Sequence, residues 1–461
     1  WRGAPPPAAH ACRPSAKIAA WAVAVHRQRL ASGLRAPDGW SSRVAGLALA
    51  GLLPLPSWMD VSLEYTGQPL LSLGGGLSKT SSWVQLAELE LKLSTGLNKE
   101  EAHWTELDRW KLTAVGSQVW GDAGMAAAVG AIFPLQWTAL DEQAYLTQLT
   151  VERKAPVGGV GIKLGWMSLD PDMFLAPAYE FYVHSALDAT YNLNVPGYPV
   201  SPSSGAAALF TYKPSDNTTL RYGIYDINKN LTFGGYGVPA ESPLSNLQGT
   251  LQVLQVQHRW PAADRRLKQR QANAQLPEGM LQIGGFLSGT KATPLELRLA
   301  SEGSAVPAQA DAEAAPVQPW PLTALTSPAN PGIVAGPSQG AYANLTLPIE
   351  LPFGLAHRLY GGMLTSFSPN TNPVALYGQV GWLAQGLLPS RPQDVLVLGY
   401  GRSVFSSVLG LQDESVLELG YQIVLGPQLT LQPTLQWIFN PGGQGQLSTV
   451  STAGLQITLE F

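Results

Sequence analysis

Beyond residue 60 the chain repeats one pattern: about ten residues in which apolar and polar side chains alternate, then a turn. Successive side chains of a strand point to opposite faces, so each repeat reads as one strand with an apolar and a polar face. The last repeat is the cleanest. Leu455, Ile457, Leu459 and Phe461 fall on one face, and Gly454, Gln456, Thr458 and Glu460 on the other. Likewise Leu417, Leu419, Tyr421 and Ile423 oppose Glu418, Gly420 and Gln422. Val160, Ile162, Leu164 and Trp166 oppose Lys163; Leu220, Tyr222 and Ile224 oppose Arg221 and Tyr225. About sixteen such segments can be read, from 60–66 to 452–461, with the third at 107–118 and the fourth at 145–154.

Alternation alone fits a soluble β-sandwich as well as a membrane β-barrel. Composition narrows the choice. Only 13 % of residues are charged, against about 25 % in a typical soluble domain. With 45 % apolar residues the chain is not disordered. No run reaches the ~18 apolar residues of a spanning helix, which excludes a helical membrane protein. The polar faces carry Glu88, Glu90, Lys92, Arg109, Lys111, Glu152, Lys163 and Arg221, mostly at mid-strand. That suits a water-filled lumen.

The connections give an independent check, because an outer-membrane barrel has short periplasmic turns and long outer loops. Links after even-numbered segments are mostly short (155–158, 214–217, 351–354 and 426–427). Links after odd-numbered segments are often long (119–144, 169–205, 227–247 and 289–338). The links 261–278 and 366–373 break this rule. The expected fold is all-β, a transmembrane antiparallel β-barrel of about sixteen strands in the bacterial outer membrane. The stretch 300–338, rich in Ala, Pro and Ser, reads as a long flexible loop within it.

Residues 1–59 differ from the rest. They hold seven of the 28 basic residues, one acid (Asp38) and the only cysteine, Cys12. Arg43 precedes a short apolar run, Val44 to Leu55, as in a secretory signal. The expected organisation is a leader-like segment over 1–59, outside the fold, and a barrel over 60–461. The barrel portion carries 21 basic against 31 acidic residues, a net of −10, which argues against nucleic acid as a partner. It has no cysteine for a disulfide or a thiolate metal site. It has no GxSxG elbow, HExxH helix or phosphate-binding loop, and His103, His184, His258 and His357 are scattered. No enzyme activity, cofactor or metal site is expected.

Four stretches together resemble the carbohydrate-selective porin family (OprB type) of bacterial outer membranes. They are Val157–Ser168 with LDPDMF at 169–174, Gly205–Asp226 with YKPSD at 212–216, GLLPSRPQD at 386–394 leading into a Gly-Tyr-Gly strand, and LQPTLQWIFNPGG at 431–443. The likeness covers most of 60–461. It implies a passive, cofactor-free pore for small hydrophilic solutes, carbohydrates in the named members.

In porins the third outer loop commonly folds inward. Here that loop is 169–205, with Asp170, Asp172, Tyr179, Glu180, Tyr182, His184 and Asp188. Acids and tyrosines there would meet sugar hydroxyls or select cations; the alternative is a solvated surface loop. The candidate pore-lining residues are Arg109, Lys111, Lys163, Asp170, Asp172, Glu180 and Arg221. The basic cluster His258–Arg270 reads as a solvated loop, the alternative being a contact for lipid A phosphates or for a periplasmic partner. Phe461, a terminal aromatic, implies recognition by the barrel-assembly machinery. Expected partners are therefore small hydrophilic solutes, outer-membrane lipid and that machinery, with a homo-oligomer left open. Two alternatives stand: a channel for inorganic ions or general small solutes on the same barrel, and an exported β-rich adhesin or outer-membrane enzyme.

Overall fold

Sixteen strands close into one antiparallel barrel in the computed structural model. It describes residues 55–140, 142–188, 199, 201, 204–226, 231–232, 235–236, 249–260, 276–289, 338–350, 356–368, 372, 374–407 and 411–461. The strands are β1 (Met59–Gly74), β2 (Ser81–Leu93), β3 (Trp110–Gly121), β4 (Ala144–Arg153), β5 (Gly159–Met167) and β6 (Gly205–Lys213). They continue as β7 (Thr218–Asp226), β8 (Thr250–Trp260), β9 (Gly279–Ser288), β10 (Ser338–Glu350) and β11 (Ala356–Ser366). The last five are β12 (Val374–Gln385), β13 (Val395–Phe405), β14 (Glu414–Gly426), β15 (Leu429–Phe439) and β16 (Val450–Glu460). Each pairs with its neighbours in sequence, and β16 returns to β1 with Glu460 opposite Glu64 and Ile457 opposite Gly67. Closure leaves no sheet edge, the condition for a strand protein to sit in lipid.

The alternation sorts as expected. Leu164, Trp166, Tyr222, Ile283, Met363, Val380, Tyr400 and Leu435 project from the outer wall and are exposed, while Lys163, Gln257, Gln282, Glu418 and Gln436 turn inward and are buried. Where the alternation slips, a bulge corrects it. On β4 the outward residues run Leu146, Leu149, Val151, a change of parity. The ladder to β3 jumps there from Val115↔Gln148 to Gly116↔Leu146. The extra residue keeps apolar side chains outside on both halves of the strand.

Two boundaries differ from the sequence expectation. β1 runs on to Gly74, well past residue 66. Beyond residue 66 the ladder continues, and Pro69 pairs with Trp83 on β2. Toward β16 pairing lapses at Gln68 and Pro69 and resumes in the same register at Leu70↔Gly454, as a proline without an N–H requires. β3 starts at Trp110, and the preceding Leu107–Arg109 forms a 3₁₀ turn. Asp108 holds that turn by accepting hydrogen bonds from Lys99 Nζ (2.6 Å), Thr105 N–H (2.9 Å) and Thr105 Oγ1 (2.7 Å).

The parity of connections holds for the shortest and longest links but not throughout. One end of the barrel carries the turns 154–158, 214–217 and 427–428; the other carries the long links 122–143, 168–204, 227–249 and 289–337. Links 94–109 and 261–278 are long for the short-turn end, and 75–80 and 367–373 are short for the long-loop end. The leader expected over 1–59 lies outside the described residues up to 54, as do the loop segment 300–337 and the basic stretch 261–270.

Candidate functional site

The inner wall is not uniformly polar. From β9 to β15 it presents Phe286, Tyr342, Tyr360, Leu364, Tyr377, Leu383, Val397, Val416 and Ile438, all buried. A hydrated lumen would not bury such side chains. They are covered by two links from the long-loop end, 122–143 and 168–204, whose Phe133, Phe174, Tyr179, Tyr182 and Leu187 join them in one apolar cluster inside the barrel. The third outer loop is thus folded inward, and the second outer loop is folded in with it.

The 168–204 loop is stitched to the wall along its described length. Phe174 has a positive φ of 66° and stacks on Tyr342 with ring centroids 4.0 Å apart. Its N–H donates to Gln255 Oε1 (3.1 Å), and its carbonyl accepts from Asn344 Nδ2 (2.5 Å). Tyr179 Oη donates to Asn344 Oδ1 (2.6 Å) and Tyr182 Oη to the Leu398 carbonyl (2.8 Å). The Val183 and His184 N–H groups both donate to the Glu418 carboxylate, each at 2.8 Å. The Gly-Tyr-Gly strand gains a physical reason here: a Cβ on Gly399 would run into the Tyr182 ring, and one on Gly401 into Tyr377 Oη and Leu187.

The seven candidates divide by what they touch. Lys163 Nζ donates to Asp172 Oδ2 at 2.8 Å, tying β5 to the loop. Asp170 accepts from Ser201 N–H at 3.0 Å; enclosure pushes its carboxyl up to about 6 against these hydrogen bonds. Arg221 Nη1 donates to Gln257 Oε1 (2.8 Å) on the wall. Lys111 pairs with Glu152 (3.1 Å), the residue opposite it on β4. Arg109 departs from expectation. It is not a mid-strand lumen residue but closes the 3₁₀ turn at the short-turn end, 3.9 Å from Glu101.

Glu180 is exposed to the lumen. Enclosure raises its carboxyl above the ordinary range, and the Asp170 charge adds to that. With Pro177, Phe181, Gln422, Thr430 and Glu460 it lines a recess of about 280 Å³.

Three acids missing from the candidate set line the same side. Glu460, Glu64 and Glu88 stand opposite one another on β16, β1 and β2. Glu64 accepts from Thr66 Oγ1 (3.2 Å) and Glu88 from Ser117 Oγ (2.7 Å). Among the described residues none of the three has an ion pair, whereas Glu90 beside them holds Lys92 at 2.5 Å. Like charges in register repel, so this row belongs to a hydrated stretch of the lumen, on the short-turn side of where the 122–143 loop crosses the same strands at Ser82, Gln68 and Gln456. The signal was present in the sequence as inward parity of 64, 88 and 460, but only the ladder brings them side by side.

Comparison with known proteins agrees with this geometry. Residues 82–461 match the model of the carbohydrate-selective porin family, OprB. No curated protein matches the chain. Among solved structures, the high-pH structure of Pseudomonas putida OprB is similar with a TM-score of 0.67 at 18 % identity, over 92 % of this chain and 97 % of that one. Its low-pH structure gives a TM-score of 0.50 at 14 % identity over the same shares. The barrel is therefore an outer-membrane channel for small solutes, and the chain belongs to the carbohydrate-selective porin family, OprB.

Proposed function

We propose that the solutes are carbohydrates and that Glu180, Glu64, Glu88 and Glu460 line the narrow part of their path. The observation that carries this reading is the recess beside the inward loop, which Phe181 lines with Glu180, Glu460, Gln422 and Thr430. Carboxylates offer only acceptors, which suits the many hydroxyl donors of a sugar. An aromatic ring suits its C–H face. Neutral solutes are not repelled by the unpaired acids, whereas anions are. In this reading Lys163, Asp170 and Asp172 hold the loop, Arg221 braces the wall, and Lys111 and Arg109 lie toward the short-turn exit.

The test is sugar block of the ion current in planar bilayers. A sugar that enters should reduce the current in a saturable way, and Phe181→Ala and Glu180→Gln should each weaken the block about tenfold, the size of one aromatic or charged hydrogen-bond contact. An ohmic, cation-preferring current that no sugar blocks would favour the inorganic-ion reading instead. Phe461 supports a role in assembly: its N–H and carbonyl exchange hydrogen bonds with Leu63 on β1 (2.9 and 3.0 Å) while its side chain stays exposed.

A further inference from the structure

We propose that Glu414 and Glu418 are positioning residues of the pore, which clamp both inward loops to the far wall as one unit. They sit four residues apart on β14, both inward and both essentially without solvent exposure. Neither has an ion pair among the described residues. Each directs its oxygens to backbone N–H groups of a loop. Glu414 accepts from Ile132 (3.0 Å), Phe133 (3.3 Å) and Gly442 (2.7 Å). Glu418 accepts from Val183 and His184 (2.8 Å each), with Gln436 Nε2 at 3.5 Å.

The loops are also bonded to each other. Trp137 N–H donates to the Val183 carbonyl (2.8 Å), and Ser185 donates to the Pro134 carbonyl through N–H (3.2 Å) and Oγ (2.6 Å).

Burying a carboxylate with no counter-charge is costly unless its hydrogen bonds are met. Glutamine and threonine serve at neighbouring inward positions, Gln432, Thr434 and Gln436. The carboxylates are needed where two or three N–H donors converge, because only a carboxylate is all acceptor. Losing the clamp frees the joined loops from β14 while Ser82, Gln68 and Gln456 still hold the 122–143 loop on β2, β1 and β16, so the pair shifts across the lumen toward that side, above Glu64 and Glu88. The inference rests on the channel reading but not on the identity of the solute.

The experiment is single-channel recording of the full chain in planar bilayers, in potassium chloride without sugar. Glu418→Gln keeps the shape but turns an amide N–H₂ toward a backbone N–H. A hydrogen bond to a charged group shifts an equilibrium about ten- to a hundredfold, so brief closures should become at least about tenfold more frequent than in wild type. Glu460→Gln removes the same charge from the lumen but holds no loop; it should alter ion selectivity without added closures. Wild-type closure frequency in Glu418→Gln, or equal behaviour of the two variants, would overturn the proposal. If Glu418→Gln does not form a heat-modifiable barrel, Glu418→Asp replaces it with the same expectation. Failure of both to assemble would assign the residue to folding and overturn the positioning role. A wild-type chain that conducts nothing would instead sink the channel, and one that sugars never block would sink the carbohydrate reading.

Discussion

Lys163 and Asp172 test how the third outer loop is held, through a double-mutant cycle of Lys163→Met and Asp172→Asn. The pair is 2.8 Å long, with side chains 10 % and 24 % exposed. It is therefore more enclosed than a surface ion pair, which contributes about 0–1 kcal/mol. A charge-assisted hydrogen bond contributes about 1.5–3 kcal/mol. Discounting for the water that reaches Asp172, a coupling of about 2 kcal/mol is expected. The singles should be unequal. Asp172→Asn strands the more enclosed Lys163 without an acid, whereas Lys163→Met leaves Asp172 within the field of the Arg221 guanidinium. The assay is cleavage of the native barrel by a protease that cuts after aromatic residues. Its rate follows the population of released loop when opening is fast. At about 1.4 kcal/mol per factor of ten, the coupling corresponds to about thirtyfold in the cycle. Coupling below about 0.5 kcal/mol, the usual scatter of independent sites, or a larger effect of Lys163→Met than of Asp172→Asn, would refute the reasoning.

Val380 lies at the middle of β12 on the outer wall, 58 % exposed; Val380→Arg should cost about 2–4 kcal/mol in lipid and lower the yield of heat-modifiable protein, while the inward Thr458→Arg should assemble normally. Equal yields would invert the assignment of faces. Removing Phe461 deletes both hydrogen bonds to Leu63 and should reduce folded protein in the membrane; an unchanged yield would leave the residue without an assembly role. His184 is 1 % exposed, its Nδ1 accepts from Ala186 N–H (3.1 Å), and burial pushes its ring down to about 3. A released loop binds that proton near 6.5, so seating is unaffected above pH 6.5 and weakens as pH falls toward 3. The loss is about 2 kcal/mol at pH 5. Loop proteolysis in wild type should accelerate about thirtyfold from pH 7 to pH 5, and His184→Gln should flatten that rise; identical profiles would rule His184 out.

How much of this was legible in the sequence depends on whether a feature is local. Strand parity is local, since each side chain's face follows from its neighbours. So the lipid-facing Leu164, Trp166 and Tyr222 and the inward Lys163 and Arg221 were readable, as were strand number and loop parity. Arg109 was misread because parity holds only inside a strand. The Asp108 hydrogen bonds end the ladder at Trp110, a non-local choice that involves Lys99. For Lys163 the inward face was readable but the ion pair was not, because its partner Asp172 comes from the loop.

The clamp at Glu414 and Glu418 was hidden for the same reason: alternation says that they face inward, not that loop N–H groups await them. One signal could have exposed it. Tyr342, Tyr360 and Tyr377 take inward positions on three consecutive strands, where water alone would leave their rings without apolar contact. Three such rings in a row imply a covering element, and a covering element with backbone to satisfy implies acceptors on the wall nearby. On β14 the acceptors that meet this need are the two glutamates.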